Sequence, residues 1–153
     1  MQSAAQILRG AGLDKTHKIN IHNYLVEELY TYEYPVNPLK NCLFRTKEHD
    51  WLKKNILGGV EYIEDVTIVE YPENHKNVTD RCKKGFEYFL GQHGKEKNAV
   101  VILVSHGRML DEFSDYFFKK CSCNMEYSAI SAVEIQDNGK YKMVLNDFNE
   151  HLL

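Results

Sequence analysis

An α/β fold, with helices on both faces of a mostly parallel sheet and an antiparallel hairpin at one side, is what the sequence predicts. Three observations carry that prediction. Apolar residues recur at helical spacing over 77–94, and a second helix is read at about 108–119. Between them runs a continuous apolar segment, 99–104, of the kind found in strands buried on both faces. Two alternating segments then flank Asn138-Gly139, the strongest short hairpin signal in the chain.

The elements follow in order. "SAAQILRGAGLD" places Ala4, Ala5, Ile7 and Leu8 on one side of a short helix, with Gly10 and Gly12 as stop signals. "HKINIHNYL" alternates through Ile19 and Ile21, a strand ending near His22. Residues 23–46 form a long tyrosine-rich connection holding Pro35 and Pro38, a length that is either functional or packed by its own aromatics. "KEHDWLKKNIL" is helical and stops at Gly58-Gly59, and a weak strand signal lies near residues 66–69. In 77–94, Val78, Cys82, Phe86, Phe89 and Leu90 recur every three or four residues, with a stop at Gly91 or Gly94. The apolar strand comes next, then the helix 108–119, and finally "AISAVEIQ" and "YKMVLND" as the two hairpin strands.

A chain of 153 residues has the size of one domain with one core. Its 43% hydrophobic and 27% charged residues mark a soluble globular composition. A net charge of −3 with no Lys/Arg run argues against a nucleic-acid partner gripped through its phosphates. No apolar stretch reaches the roughly 20 residues that span a bilayer. The opening "MQSAAQILRG" lacks a signal-peptide layout, so an intracellular, cytoplasmic setting is expected. Cys42, Cys82, Cys121 and Cys123 have no paired CxxC spacing and read as free thiols. Cys121 and Cys123 form a C-x-C, read as two small side chains in a loop, with metal binding or reactivity as the alternative. No two of the seven histidines pair at helical metal-ligand spacing, and no metal or cofactor is expected.

The apolar run ends on Ser105-His106-Gly107. Ligands of open α/β sheets collect outside the carboxyl ends of parallel strands, and a helix start offers backbone N–H groups to an anion. Gly107 lets the backbone turn sharply and approach a ligand. An imidazole and amide donors aimed at one place is one reading of His106; a polar strand cap is the other.

The residues here also carry a resemblance. "VVILVSHGRMLDEF" resembles the second histidine motif of the histidine phosphatase superfamily, the phosphoglycerate-mutase-like enzymes. "SAAQILRGAGLD" is similar to the segment following that family's second conserved arginine. "HKINIHNYLVEELYTYEYP" resembles the strand and loop that deliver its acidic residue in a Leu-x-Glu context, here Leu25-Val26-Glu27. "DRCKKGFEYFL" is similar to the helix before the second-histidine strand, and "YSAISAVEIQDNGKYKMVLNDFNEHL" to the closing hairpin and tail. The likeness spans nearly the whole chain in order. It implies a single, incomplete histidine-phosphatase-like domain over 1–153, with three layers, helix-sheet-helix, and Val104 and His106 at the mouth of the sheet. It also implies that His106 stabilises a transferring phosphoryl group, with Gly107 beside it in the phosphate site. Glu27 would be the acid that protonates the leaving group, and Glu28 is the alternative for that position.

The family's nucleophile, a histidine in an Arg-His-Gly motif on the first and central strand, has no counterpart in the 153 residues. Loss of that strand would leave a row of buried backbone groups unpaired, at roughly 1–3 kcal/mol each. Three resolutions are open: a protein partner inserts a strand, the sheet closes up, or a longer chain supplies the segment. The resemblance thus implies a non-catalytic structural or interaction subunit, able to take phosphate or a phosphorylated small molecule. The alternative is an active, metal-independent phosphatase or mutase whose missing half comes from elsewhere. Tyr30, Tyr32, Tyr34, Tyr116 and Phe117 are either contact residues or domain core.

Overall fold

The computed structural model describes residues 2–38, 62–65, 69–119 and 128–150. They fall into two compact units, Met1–Asn23 with Leu29–Asn74, and Tyr24–Glu28 with His75–Leu153.

In the first unit, helix α1 (Gln2–Gly10) buries Ala5. It closes through Leu13 N–H donating to the Leu8 carbonyl at 2.8 Å, with Gly12 at φ +70°, a conformation that suits a residue lacking Cβ. Strand β1 (Ile19–His22) runs parallel to β2 (Tyr62–Asp65) over four residues, with Ile19 opposite Tyr62 and His22 opposite Asp65. Leu29 and Glu73 clasp each other: Leu29 N–H donates to Glu73 Oε2 at 3.0 Å, and Glu73 N–H returns a bond to the Leu29 carbonyl at 3.0 Å. The Tyr71 hydroxyl donates to the Tyr34 carbonyl, and the Tyr30 and Tyr32 rings stack at 5.1 Å. The described part of the tyrosine-rich connection is therefore packed partly by its own aromatics.

In the second unit, α2 (His75–His93) and α3 (Gly107–Phe118) pack through an apolar seam. Val78, Cys82, Phe86 and Phe89 are buried there at the three- and four-residue spacing that periodicity marked on α2, with Met109 buried on α3. Phe86 lies 5.7, 5.4 and 5.9 Å from the rings of Phe113, Tyr116 and Phe117, separations typical of aromatic clusters. Tyr116 and Phe117 thus pack against buried Phe86 while staying half-buried themselves, and Tyr30 is buried in its own unit. Strands β3 (Ile130–Ile135) and β4 (Tyr141–Phe148) form the antiparallel hairpin read from Asn138-Gly139. Gly139 sits at φ +75° and donates its N–H to the Gln136 carbonyl at 2.8 Å. The left-handed conformation there is why the turn needs a glycine.

The three-layer fold about a mostly parallel sheet is overturned. Among the described residues there are three α-helices and a two-stranded antiparallel sheet, while β1 and β2 make only a four-residue parallel pairing; no multi-stranded parallel sheet is present. The segment 99–104, expected as its buried inner strand, has no regular structure, and Val100, Val101 and Ile102 are 84%, 46% and 61% exposed. Val104 and His106 therefore do not stand at the mouth of a sheet. The physical reason is that a strand exists only through a neighbour that completes its ladder. A run of apolar residues signals burial without supplying that neighbour.

Of the strand expected near 66–69, residues 66–68 lie outside the described residues and residue 69 is not in a strand; β2 occupies Tyr62–Asp65. The helix "KEHDWLKKNIL" with its Gly58-Gly59 stop, the Cys121/Cys123 pair and the His151-Leu152 tail lie outside the described residues.

Candidate functional site

Helix α3 begins at Gly107, with His106 as its cap residue in extended conformation, φ −116° and ψ 166°. The first backbone bonds to reach back are those of Met109 and Leu110 N–H to the His106 carbonyl, at 3.1 and 3.3 Å. The N–H groups of Gly107 and Arg108 precede that ladder, as helix starts require. A Cβ added at Gly107 would meet nothing within 4 Å, so the backbone there is open to approach.

The structure brings His106 and Glu27 together. His106 Nδ1 lies 2.7 Å from Glu27 Oε2, with the two side chains 49% and 33% exposed. Burial lowers the pKa of His106, against the opposing charge of Glu28 and with the charge of Arg81 adding to the depression. The imidazole is thereby biased toward its neutral form; a proton held on Nδ1 would face the carboxylate and leave Nε2 as an acceptor.

The two neighbouring glutamates divide the carboxyl chemistry between them. Glu27 faces the imidazole. Glu28 has its pKa raised, first by burial and then by the hydrogen bonding and charge of Glu27, with Arg108 pulling the other way. Its Oε2 is buried without a hydrogen-bond partner. Glu28 therefore keeps its proton to higher pH than an ordinary glutamate.

Two side chains that motif reading passed over hold this corner. Arg81, on the buried face of α2, donates Nη1 to the carbonyls of Tyr24 and Val26 at 2.8 and 3.0 Å, and Nη2 to that of Glu27 at 3.3 Å. Ser105 Oγ donates to the Leu25 carbonyl at 2.7 Å. The sequence did contain a signal for Arg81: it stands between Val78 and Cys82 on the apolar stripe, four residues before Gly85. A cation on a buried stripe calls for acceptors. Gly85 makes room for the segment, since a Cβ there would lie 2.8 Å from Cβ of Tyr24.

Behind the pair, Thr79 Oγ1 and Arg108 Nη2 both donate to Glu112 Oε1, at 2.8 and 2.6 Å, tying α2 to α3. Arg108 Nε is buried without a partner, and burial raises the pKa of Asp111. Among the described residues no group of three or more His, Cys, Asp or Glu could hold a metal ion, and no helix is long and apolar enough to cross a membrane.

The arrangement sets an imidazole 2.7 Å from a glutamate carboxyl, with a second carboxyl at the neighbouring residue and two backbone N–H groups at the start of α3. Comparison with protein-family models, with curated proteins and with solved structures returned no match.

Proposed function

We propose that the chain is a non-catalytic structural or interaction subunit whose His106–Glu27 corner recognises phosphate or a phosphorylated small molecule. The observation that carries this reading is the 2.7 Å approach of His106 Nδ1 to Glu27 Oε2, two residues that only the resemblance to the histidine phosphatases placed in one pocket. The support is local, resting on this side-chain geometry and on no sheet architecture. The 153 residues contain no Arg-His-Gly to provide a phosphorylatable imidazole. One oriented histidine beside amide donors binds an anion without passing its phosphoryl group on.

The interaction role draws on 99–104. Five consecutive residues of mostly large apolar type, 100–104, carry no backbone hydrogen bond within the described residues. A protein partner, or a further segment, that covers them would remove exposed apolar surface and satisfy their backbone groups together.

Titrating inorganic phosphate while following the His106 imidazole by NMR tests the site. Saturable shifts at His106, with a dissociation constant of about 1 mM or tighter and loss in His106→Ala, are expected. An unresponsive imidazole would sink the proposal. A Val100→Lys/Ile102→Lys double variant should leave stability within about 0.5 kcal/mol while abolishing partner capture.

A second reading, phosphoryl transfer with a nucleophile supplied by another segment, is favoured by the raised carboxyl of Glu28 beside the pair. Turnover of an aryl phosphate by the 153-residue chain, lost in His106→Ala, would replace the first reading with this one.

A further inference from the structure

Four consecutive carbonyls, those of Tyr24, Leu25, Val26 and Glu27, each accept a hydrogen bond from one of two side chains, Arg81 and Ser105. The stretch has only a single 3-10 turn, Asn23–Leu25, and no strand ladder to hold it. A short segment without a ladder moves unless something outside it takes its backbone groups. Arg81 takes three of the four, and it does so from a 7% exposed position on the 19-residue helix α2. Its planar fork can bridge carbonyls that point to one side, which a lysine ammonium cannot do with equal fixity.

The segment delivers Glu27 to His106. Which imidazole nitrogen carries the proton is set by the hydrogen bond made at the other, so the position of the Glu27 carboxylate decides the tautomer.

We infer that Arg81 is a positioning residue: by clamping the carbonyls of 24–27 it holds Glu27 against Nδ1 of His106 and keeps the histidine as the Nδ1–H tautomer with Nε2 available. The inference concerns the same corner as the proposed function, but it does not depend on phosphate being the ligand.

Nitrogen-15 NMR of the imidazole, recorded well above the titration range of His106, reads the tautomer directly. The wild-type chain should show Nδ1–H at His106. Arg81→Met should shift it predominantly to Nε2–H, as Glu27→Ala does, while the amide spectrum of the β3–β4 hairpin stays unchanged. Arg81→Lys should give a mixture, because a single ammonium cannot bridge three carbonyls. A folded Arg81→Met that keeps the wild-type tautomer would overturn the inference. If that variant does not fold, a pure Nδ1–H signal in Arg81→Lys overturns it equally. Phosphate titration of the wild type separates the two ideas: a tautomer switch without phosphate binding leaves the clamp standing and removes the proposed function.

Discussion

Ser105 Oγ donates to the carbonyl oxygen of Leu25 across 2.7 Å, joining residues eighty positions apart. The bond is made one residue before the imidazole and two residues before Glu27, so it fixes the separation of the two strands of chain that carry the pair. Ser105→Ala should cost about 0.5–1.5 kcal/mol, the usual net worth of such a bond. Urea unfolding measures that cost, and an increase in Nε2–H tautomer at His106 should accompany it. A variant as stable as wild type would show that water replaces the hydroxyl without loss.

Two glycines on α2 should respond with opposite sign to the same change. A Cβ at Gly85 would come within 2.8 Å of the Tyr24 Cβ, whereas one at Gly91 meets nothing within 4 Å. Alanine is favoured over glycine in a helix interior by about 1 kcal/mol. Gly91→Ala should therefore stabilise by about 0.5–1 kcal/mol. Gly85→Ala should destabilise by about 1–3 kcal/mol, because overpacking displaces Tyr24 and with it the segment bearing Glu27. Thermal melts of the two variants side by side check the signs.

Phe86 is 3% exposed and touches the rings of Phe113, Tyr116 and Phe117. Truncation to alanine opens a cavity at the α2–α3 seam. A loss of about 3–5 kcal/mol is expected, with Phe113 and Tyr116 becoming more mobile by NMR. A loss under about 1 kcal/mol would mean that the seam collapses around the gap.

The pH dependence of stability should have two opposed arms. His106 has a lowered pKa because of burial, so its contribution is present above the ordinary histidine value of about 6.5. That contribution is lost as pH falls through the lower folded value. Asp111 and Glu28 have raised pKa values, also from burial first, so each contributes below the ordinary carboxylate range of about 4. Their contribution is lost as pH rises through the raised values. All three groups are partly exposed and screened, which keeps both arms shallow. Asp111→Asn should gain about 0.5 kcal/mol or less at neutral pH and nothing near pH 3, as read from urea midpoints at the two pH values. His106→Asn should flatten the acid arm.

The helices and the hairpin were legible because each is declared by its own residues. The stripe Val78, Cys82, Phe86 and Phe89 defines a face of α2 wherever α2 packs, and Asn138-Gly139 closes a turn through backbone conformation alone. The apolar run 99–104 misled for a matching reason. Its composition states a demand for neighbours, and among the described residues no strand pairs with it. No periodicity links residues as far apart as His106 and Glu27, so composition and spacing could not announce their approach. The surroundings of Glu27 and Glu28 differ because one faces the imidazole and the other has a buried carboxyl oxygen, a distinction that adjacent identical residues cannot announce.

The amino-acid sequence by itself therefore determined α1, α2, α3 and the β3–β4 hairpin, where period, cap and turn chemistry act within a few residues. Tertiary structure alone decided that Arg81 would spend its guanidinium on three carbonyls, that Ser105 would reach back to Leu25, and that an imidazole would meet a carboxylate at 2.7 Å. Local preferences are summed along the chain, whereas hydrogen-bond partners are chosen across it, and only packing brings the chosen atoms within reach.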